Sequence, residues 1–118
     1  MTLEGIKELL KAEVLSPNFN LNIEIRCASA SDLMSDVLAS VEPGELLLTG
    51  LTNNQVIRTC EIAGIQAVVF VRGKRPQAET IRMSEQCNIP VLTTALAMFE
   101  ACGLLYANGL TAVAMKSA

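Results

Sequence analysis

Two stretches of the chain, Glu45–Leu48 and Ala67–Val71, are continuous rather than alternating apolar runs. A strand with one face in solvent alternates apolar with polar residues; a continuous run belongs to a strand covered on both faces, and sheets covered by helices on both faces are parallel. Parallel neighbours require crossover connections, so helical segments must separate the runs. The expectation is an α/β fold, three-layer, with a mostly parallel sheet and helices on both faces (Rossmann-like). At 118 residues the chain has room for one domain and one core, taken as residues 1–118.

The remaining segments fit this frame. Thr2 is placed to cap a first helix running to about Lys11, with Leu3, Ile6, Leu9 and Leu10 on one face. A short strand Glu13–Leu15 follows, then a Pro- and Asn-containing loop, Ser16–Asn22, and a strand over Ile23–Ala28. Leu33, Met34, Val37, Leu38 and Val41 repeat at helical spacing, with Ser31 as cap and Pro43-Gly44 as stop. Thr52-Asn53-Asn54-Gln55 has the form of a capping box, with Thr52 as the cap, and Gly64 ends that helix. Pro76 is expected as the first helical residue of the next helix, which runs to about Cys87. Pro90–Thr93 supplies a short strand, and a last helix uses Leu96, Phe99, Cys102 and Tyr106 before Asn108-Gly109 terminates it. No element is predicted beyond Leu110; those residues either fray or dock on a partner.

Composition removes several function classes. Apolar residues make up 51% and charged residues 18%, which excludes a disordered chain. With one Tyr, three Phe, no Trp and a net charge of −3, the chain lacks the stacking platforms and basic balance of a nucleic-acid binder, and no nucleic acid is expected as partner. No stretch approaches the roughly 18 to 20 apolar residues of a membrane span. The start, Met-Thr-Leu-Glu-Gly-Ile-Lys, does not read as a secretion signal, so a cytoplasmic location and no membrane partner are expected. Cys27, Cys60, Cys87 and Cys102 are scattered, without a C-x-x-C pair or any His. They read as small buried apolar side chains in a reducing compartment, the rival being a metal or iron–sulfur site formed by their convergence in space.

Chemistry concentrates in four loops, Ala28–Asp32, Thr49–Asn54, Arg72–Pro76 and Thr93–Thr94, each following a strand and preceding a helix. In an open parallel sheet such loops gather along one edge, where ligands bind. Arg72-Gly73-Lys74-Arg75 holds three of the nine basic residues just before a helix, whose free N–H groups and partial positive charge suit a phosphate or carboxylate; the alternative is a solvated charge cluster. Thr49-Gly50-Leu51-Thr52-Asn53 offers hydroxyls and amides for a sugar, a base edge or a phosphate oxygen. The candidate ligand-binding residues are Ser29, Ser31, Thr49, Gly50, Thr52, Asn53, Arg72, Gly73, Lys74, Arg75, Thr93 and Thr94. No catalytic group, metal ligand or cofactor is assigned. Neither G-x-x-x-x-G-K-[ST] nor G-x-G-x-x-G occurs, and Ser29, Ser31 and Ser35 have no His to activate them. Asp32 and Asp36, four apart, form a possible acid pair, against a reading in which Asp32 complements a helix start and Asp36 stands in solvent.

Pro43-Gly44-Glu45-Leu46-Leu47-Leu48-Thr49-Gly50, Gly64-Ile65-Gln66-Ala67-Val68-Val69-Phe70-Val71-Arg72-Gly73 and Asn88-Ile89-Pro90-Val91-Leu92-Thr93-Thr94 together resemble the DRTGG domain, over roughly Ala28 to Leu105. That domain is a regulatory insert in CBS-domain pyrophosphatases and stands near the start of long bacterial phosphate acetyltransferases. By loop position, the Asp-Arg of the signature falls at Thr52-Asn53 and its Thr-Gly-Gly at Val71-Arg72-Gly73, where Gly73 alone matches. The pattern is more similar to small stand-alone DRTGG proteins encoded beside iron-only hydrogenase genes of anaerobic bacteria. The resemblance implies a non-catalytic regulatory domain that forms a homodimer and binds an adenine nucleotide or dinucleotide polyphosphate at the strand edge or dimer interface. Its rivals are an accessory protein of a hydrogenase or electron-transfer system without a ligand of its own, and a metal or iron–sulfur protein.

Overall fold

A computed structural model describes residues 1–39 and 44–113. The elements are α1 (Leu3–Leu9), β1 (Glu13–Val14), β2 (Cys27–Ala30), α2 (Met34–Val37), β3 (Glu45–Thr49), α3 (Asn54–Ala63), β4 (Ile65–Phe70), α4 (Ala78–Gln86), β5 (Val91–Thr93), α5 (Met98–Ala107) and β6 (Thr111–Ala112). They build one six-stranded sheet in the order β1-β5-β4-β3-β2-β6. Every pairing is parallel except that of β1 with β5.

The strand order explains the layers. From β2 to β5 each strand is laid beside the previous one in the same direction, and crossovers of one hand put their helices on one face. Accordingly Met34 and Val37 of α2, Val56, Ile57 and Cys60 of α3, and Ile81 and Met83 of α4 pack with Leu47, Val68 and Phe70. The connection from β5 to β6 runs back past β4, β3 and β2, so α5 covers the opposite face together with α1, against Leu46, Leu48, Val69 and Leu92. All five residues of β3 are buried. This is the three-layer α/β architecture that the continuous apolar runs imply. Between Glu45 and Leu46 the register with β4 slips so that Gln66 is the extra residue, a bulge that lets Ile65 join the same core as Val68.

Several boundaries differ from expectation, each for a local reason. The second strand begins at Cys27 rather than Ile23, because Leu3 N donates to Ile23 O (3.0 Å) and Ile25 N to Met1 O (2.8 Å), so the N-terminal segment takes those groups before the sheet can. The second helix is shorter than its apolar spacing predicts. Ser31 does not cap it; its Oγ accepts from Leu33 N (3.0 Å) in a local turn, a competition typical of serine. Leu33 and Leu38 are thereby exposed, while Val41 and Pro43 lie outside the described residues. In α3 the cap is Asn53, whose side chain accepts from Val56 N (3.3 Å), not Thr52. Gly64 closes that helix at φ +77°, a left-handed conformation that glycine adopts without cost. Pro76 stands outside α4, which starts at Ala78 with Gln77 as its N-cap. Beyond Leu110, Thr111–Ala112 forms β6 on the outer edge of β2.

The last helix corrects the sequence reading most. Its expected core stripe holds only in part: Leu96 and Cys102 are partly buried against the core, with Ala101 and Leu105 fully buried beside them, whereas Phe99 is 92% and Tyr106 74% exposed. Because α5 carries apolar residues all round, with Glu100 its one charge, spacing alone does not select the face that meets the sheet.

Phe70 is fully buried in the α2–α3–α4 core. Phe70→Ala should lower unfolding stability by about 3–5 kcal/mol, measured by urea denaturation. A loss below about 1 kcal/mol would place Phe70 outside a packed core.

Candidate functional site

The parallel strands β2, β3, β4 and β5 all end at one edge of the sheet, and the four polar loops lie there. At its centre is a cavity of about 240 Å³ lined by Asp32, Gly50, Val71, Arg72, Lys74 and Met98. Thr49, the last residue of β3, is fully buried. Its Oγ1 donates to Asp32 Oδ1 (2.9 Å) and accepts from Leu51 N (3.2 Å), while Gly50 N donates to the same carboxylate oxygen (2.7 Å). The end of β3 therefore holds Asp32 across the gap from β2. The Thr49 hydroxyl is buried and engaged in this network, so it is not presented directly to the cavity.

The facing wall is the loop after β4. Arg72 and Gly73 both have left-handed backbones (φ +59° and +67°). Such a turn is uncommon for arginine and needs support from its surroundings. Arg72 N donates to Leu96 O (2.8 Å), Gly73 N to Thr94 O (2.7 Å) and Lys74 N to Val71 O (3.1 Å). These bonds tie the loop to the segment leading into α5. They also engage the amides that the sequence reading offers to an anion. With α4 beginning only at Ala78, what this loop can offer an anion is the Arg72 and Lys74 side chains and not a helix N-terminus. Among the described residues neither cation forms an ion pair.

The other sequence candidates are distributed elsewhere. Arg75 pairs with Glu13 of β1 in an exposed bridge and does not line the cavity. Thr93 Oγ1 donates to Lys74 O (2.7 Å) and Thr94 Oγ1 to Leu10 O (2.7 Å), so both threonines brace loops. Thr52 and Asn53 line a second recess of about 350 Å³ with Asn54, Gln77, Glu79 and Thr80, between the starts of α3 and α4. Asn54 spans it, donating to Glu79 (3.2 Å) and accepting from Thr80. Ser29 and Ser31 line a third, also about 350 Å³, with Asp36 and Val37 at the β2 flank. There Ser29 Oγ donates to the buried carboxylate of Glu45. Gly50, Arg72 and Lys74 are thus the candidates brought to one cavity. Asp32 and Met98 join them without having been assigned. The available signal for Asp32 was its position just past a strand, beside a neighbouring strand that ends in Thr-Gly.

The cysteines do not converge on this edge. Cys27 and Cys60 are buried, and Cys87 and Cys102 half-buried. Among the described residues no group of three His, Cys, Asp or Glu could hold a metal ion, and no helix is long and apolar enough to cross a membrane.

No family model matches the chain, and no curated protein matches it. Among solved structures it is similar to the CBS and DRTGG domains of the regulatory region of Clostridium perfringens pyrophosphatase, complexed with the activator diadenosine tetraphosphate. The TM-score is 0.74 at 19% identity, over 88% of this chain and 45% of that one. This chain has a DRTGG-like fold and spans less than half of that neighbour.

Burial, and secondarily the charge of Glu45, push the Cys60 thiol from its ordinary 9.0 up to about 12. The folded state then keeps a proton that the unfolded chain releases above pH 9, so this contribution to stability is present below pH 9 and declines as pH rises toward 12. Melting temperature against pH from about 8 to 11 should fall less steeply in Cys60→Ala than in the wild type. Identical slopes would show that Cys60 does not carry this dependence.

Proposed function

We propose that residues 1–118 act as one non-catalytic regulatory domain that binds an adenine nucleotide or dinucleotide polyphosphate at the C-terminal edge of the sheet. One observation carries this reading: Arg72 and Lys74, two cations without an ion pair among the described residues, line a cavity at the edge where parallel α/β sheets bind ligands. The DRTGG-like fold supports it, since the similar pyrophosphatase region is complexed with a dinucleotide activator. At about 240 Å³ the cavity is smaller than the roughly 300–1,000 Å³ of a whole small-molecule pocket, so it accommodates one sugar-phosphate portion while the remainder follows the edge.

A native-state ligand raises the melting temperature by mass action. Adenine nucleotides and diadenosine tetraphosphate should do so here. Charge-assisted phosphate contacts are worth about 1.5–3 kcal/mol each where water is excluded, and less at an open edge. Arg72→Ala combined with Lys74→Ala should weaken binding by about tenfold or more, or about 1.4 kcal/mol, with the unliganded melting temperature nearly unchanged. If no adenine nucleotide at millimolar concentration stabilises the wild type, the ligand-binding reading fails.

The regulatory reading includes a homodimer, for which α5 offers the surface. Phe99 and Tyr106 lie two turns apart on one exposed stripe with Gly103 between them, so antiparallel α5 helices of two copies would place each Phe99 against Tyr106 of the other. Each aromatic buries about 150–250 Å², so the pair covers around half of the ~800 Å² per partner of a standard interface. Light scattering should give about twice the 12.6 kDa chain mass, and Phe99→Ser with Tyr106→Ser should return it to one chain. A wild-type monomer at tens of micromolar, on the order of a specific interface's working range, favours the second reading. In that case α5 docks a different protein, such as a hydrogenase or electron-transfer component.

A further inference from the structure

We infer that the cavity between the ends of β3 and β4 selects a ribonucleoside phosphate over a bare polyphosphate, with Asp32 reading a sugar hydroxyl; this rests on the nucleotide reading above. One oxygen of Asp32, Oδ1, is held by Thr49 Oγ1 (2.9 Å) and Gly50 N (2.7 Å). Two donors on one oxygen fix the carboxylate, and among the described residues nothing donates to Oδ2. The same cavity carries Arg72 and Lys74 with no ion pair to Asp32. Carboxylate and cations are thus held apart in one small space, each lacking its complement.

This charge pattern restricts the ligand. A carboxylate only accepts hydrogen bonds, so the ligand must bring a donor to Asp32. A cationic donor is opposed by Arg72 and Lys74, and an anion placed wholly within the cavity is opposed by Asp32. A neutral hydroxyl adjoining a phosphate satisfies both walls. A ribose carrying a phosphate has that arrangement, and acidic side chains bind ribose hydroxyls in other parallel α/β sites. The O–H···O⁻ bond is charge-assisted, so its loss is costly.

Calorimetric titration of the full chain with ATP, 2′,3′-dideoxyATP and tripolyphosphate tests this. The wild type should bind ATP about tenfold or more tightly than either analogue, as expected for a hydrogen bond to a charged group. Asp32→Asn keeps a carbonyl oxygen for Thr49 and Gly50 but replaces Oδ2 with a donor. In that variant ATP should weaken to near the dideoxy analogue, and tripolyphosphate should tighten several-fold as the opposing charge is lost. General damage to the site would weaken all three together and would overturn the assignment to Asp32. Should the variant fail to fold, the wild-type comparison alone decides. Equal wild-type affinity for ATP and its dideoxy analogue, or tighter tripolyphosphate than ATP, overturns hydroxyl selection and leaves the nucleotide reading standing. Failure of any adenine nucleotide to bind overturns both.

Discussion

The pairing of β3 with β4, buried on both faces, is the constraint from which the rest of the molecule follows. Leu46 and Leu48 project into one core and Leu47 into the other, while Ala67 and Val69 of β4 do the same opposite Val68 and Phe70. Neither strand has a solvent face, so each needs helices above and below; the crossover rule distributes α2, α3 and α4 to one layer and α5 to the other, where α1 packs beside it. The ends of these two strands are also tied to each other and to their surroundings by hydrogen bonds. Thr49 closes β3 with its hydroxyl in the Asp32 network, and Val71 N donates to Thr49 O (3.1 Å) just past β4. The candidate cavity opens directly above them.

That rigidity determines which atoms can do chemistry. A nest of free backbone amides would bind anions by itself. Here Arg72 N, Gly73 N and Lys74 N are bonded to Leu96, Thr94 and Val71. The loop is consequently a platform that presents side chains, and its left-handed turn at Arg72 and Gly73 is supported by those bonds. Asp32 is presented in the same way from the other side, through Thr49 and Gly50. Both walls are positioned by backbone geometry fixed before a ligand arrives, which lowers the ordering cost of binding.

The layer architecture was legible because short, continuous apolar runs bounded by turn residues fit strands covered on both faces and little else. The loops were legible because polar residues interrupt those runs at strand ends. What remained hidden depended on contacts distant in sequence. The start of β2 moved because Met1 and Leu3 take the hydrogen bonds of Ile25 and Ile23. Arg75, similar in sequence terms to Arg72, is taken by Glu13, a partner far along the chain. Thr93 and Thr94 look like ligand donors until Lys74 O and Leu10 O are found at their hydroxyls. Asp32 is weighed from the sequence only as half of an acid pair or as complement to a helix start, because its place at the cavity depends on the end of a neighbouring strand. In α5 the periodic signal placed Leu96 and Cys102 against the core but not Phe99 and Tyr106, since a helix apolar on every side has no unique inward stripe.

The helix with the least informative sequence connects the two surfaces on which the proposed function rests. Met98, its first residue, lines the cavity, and Phe99, the next, stands almost wholly in solvent. The segment before it anchors the Arg72 loop through Leu96 O. The loop and the segment leading into α5 are thus joined by a direct backbone hydrogen bond. On the proposed reading, ligand and second copy engage opposite sides of one helix end. Any free energy with which one favours the other must then be returned equally in the reverse direction, because coupling between two binding equilibria is reciprocal.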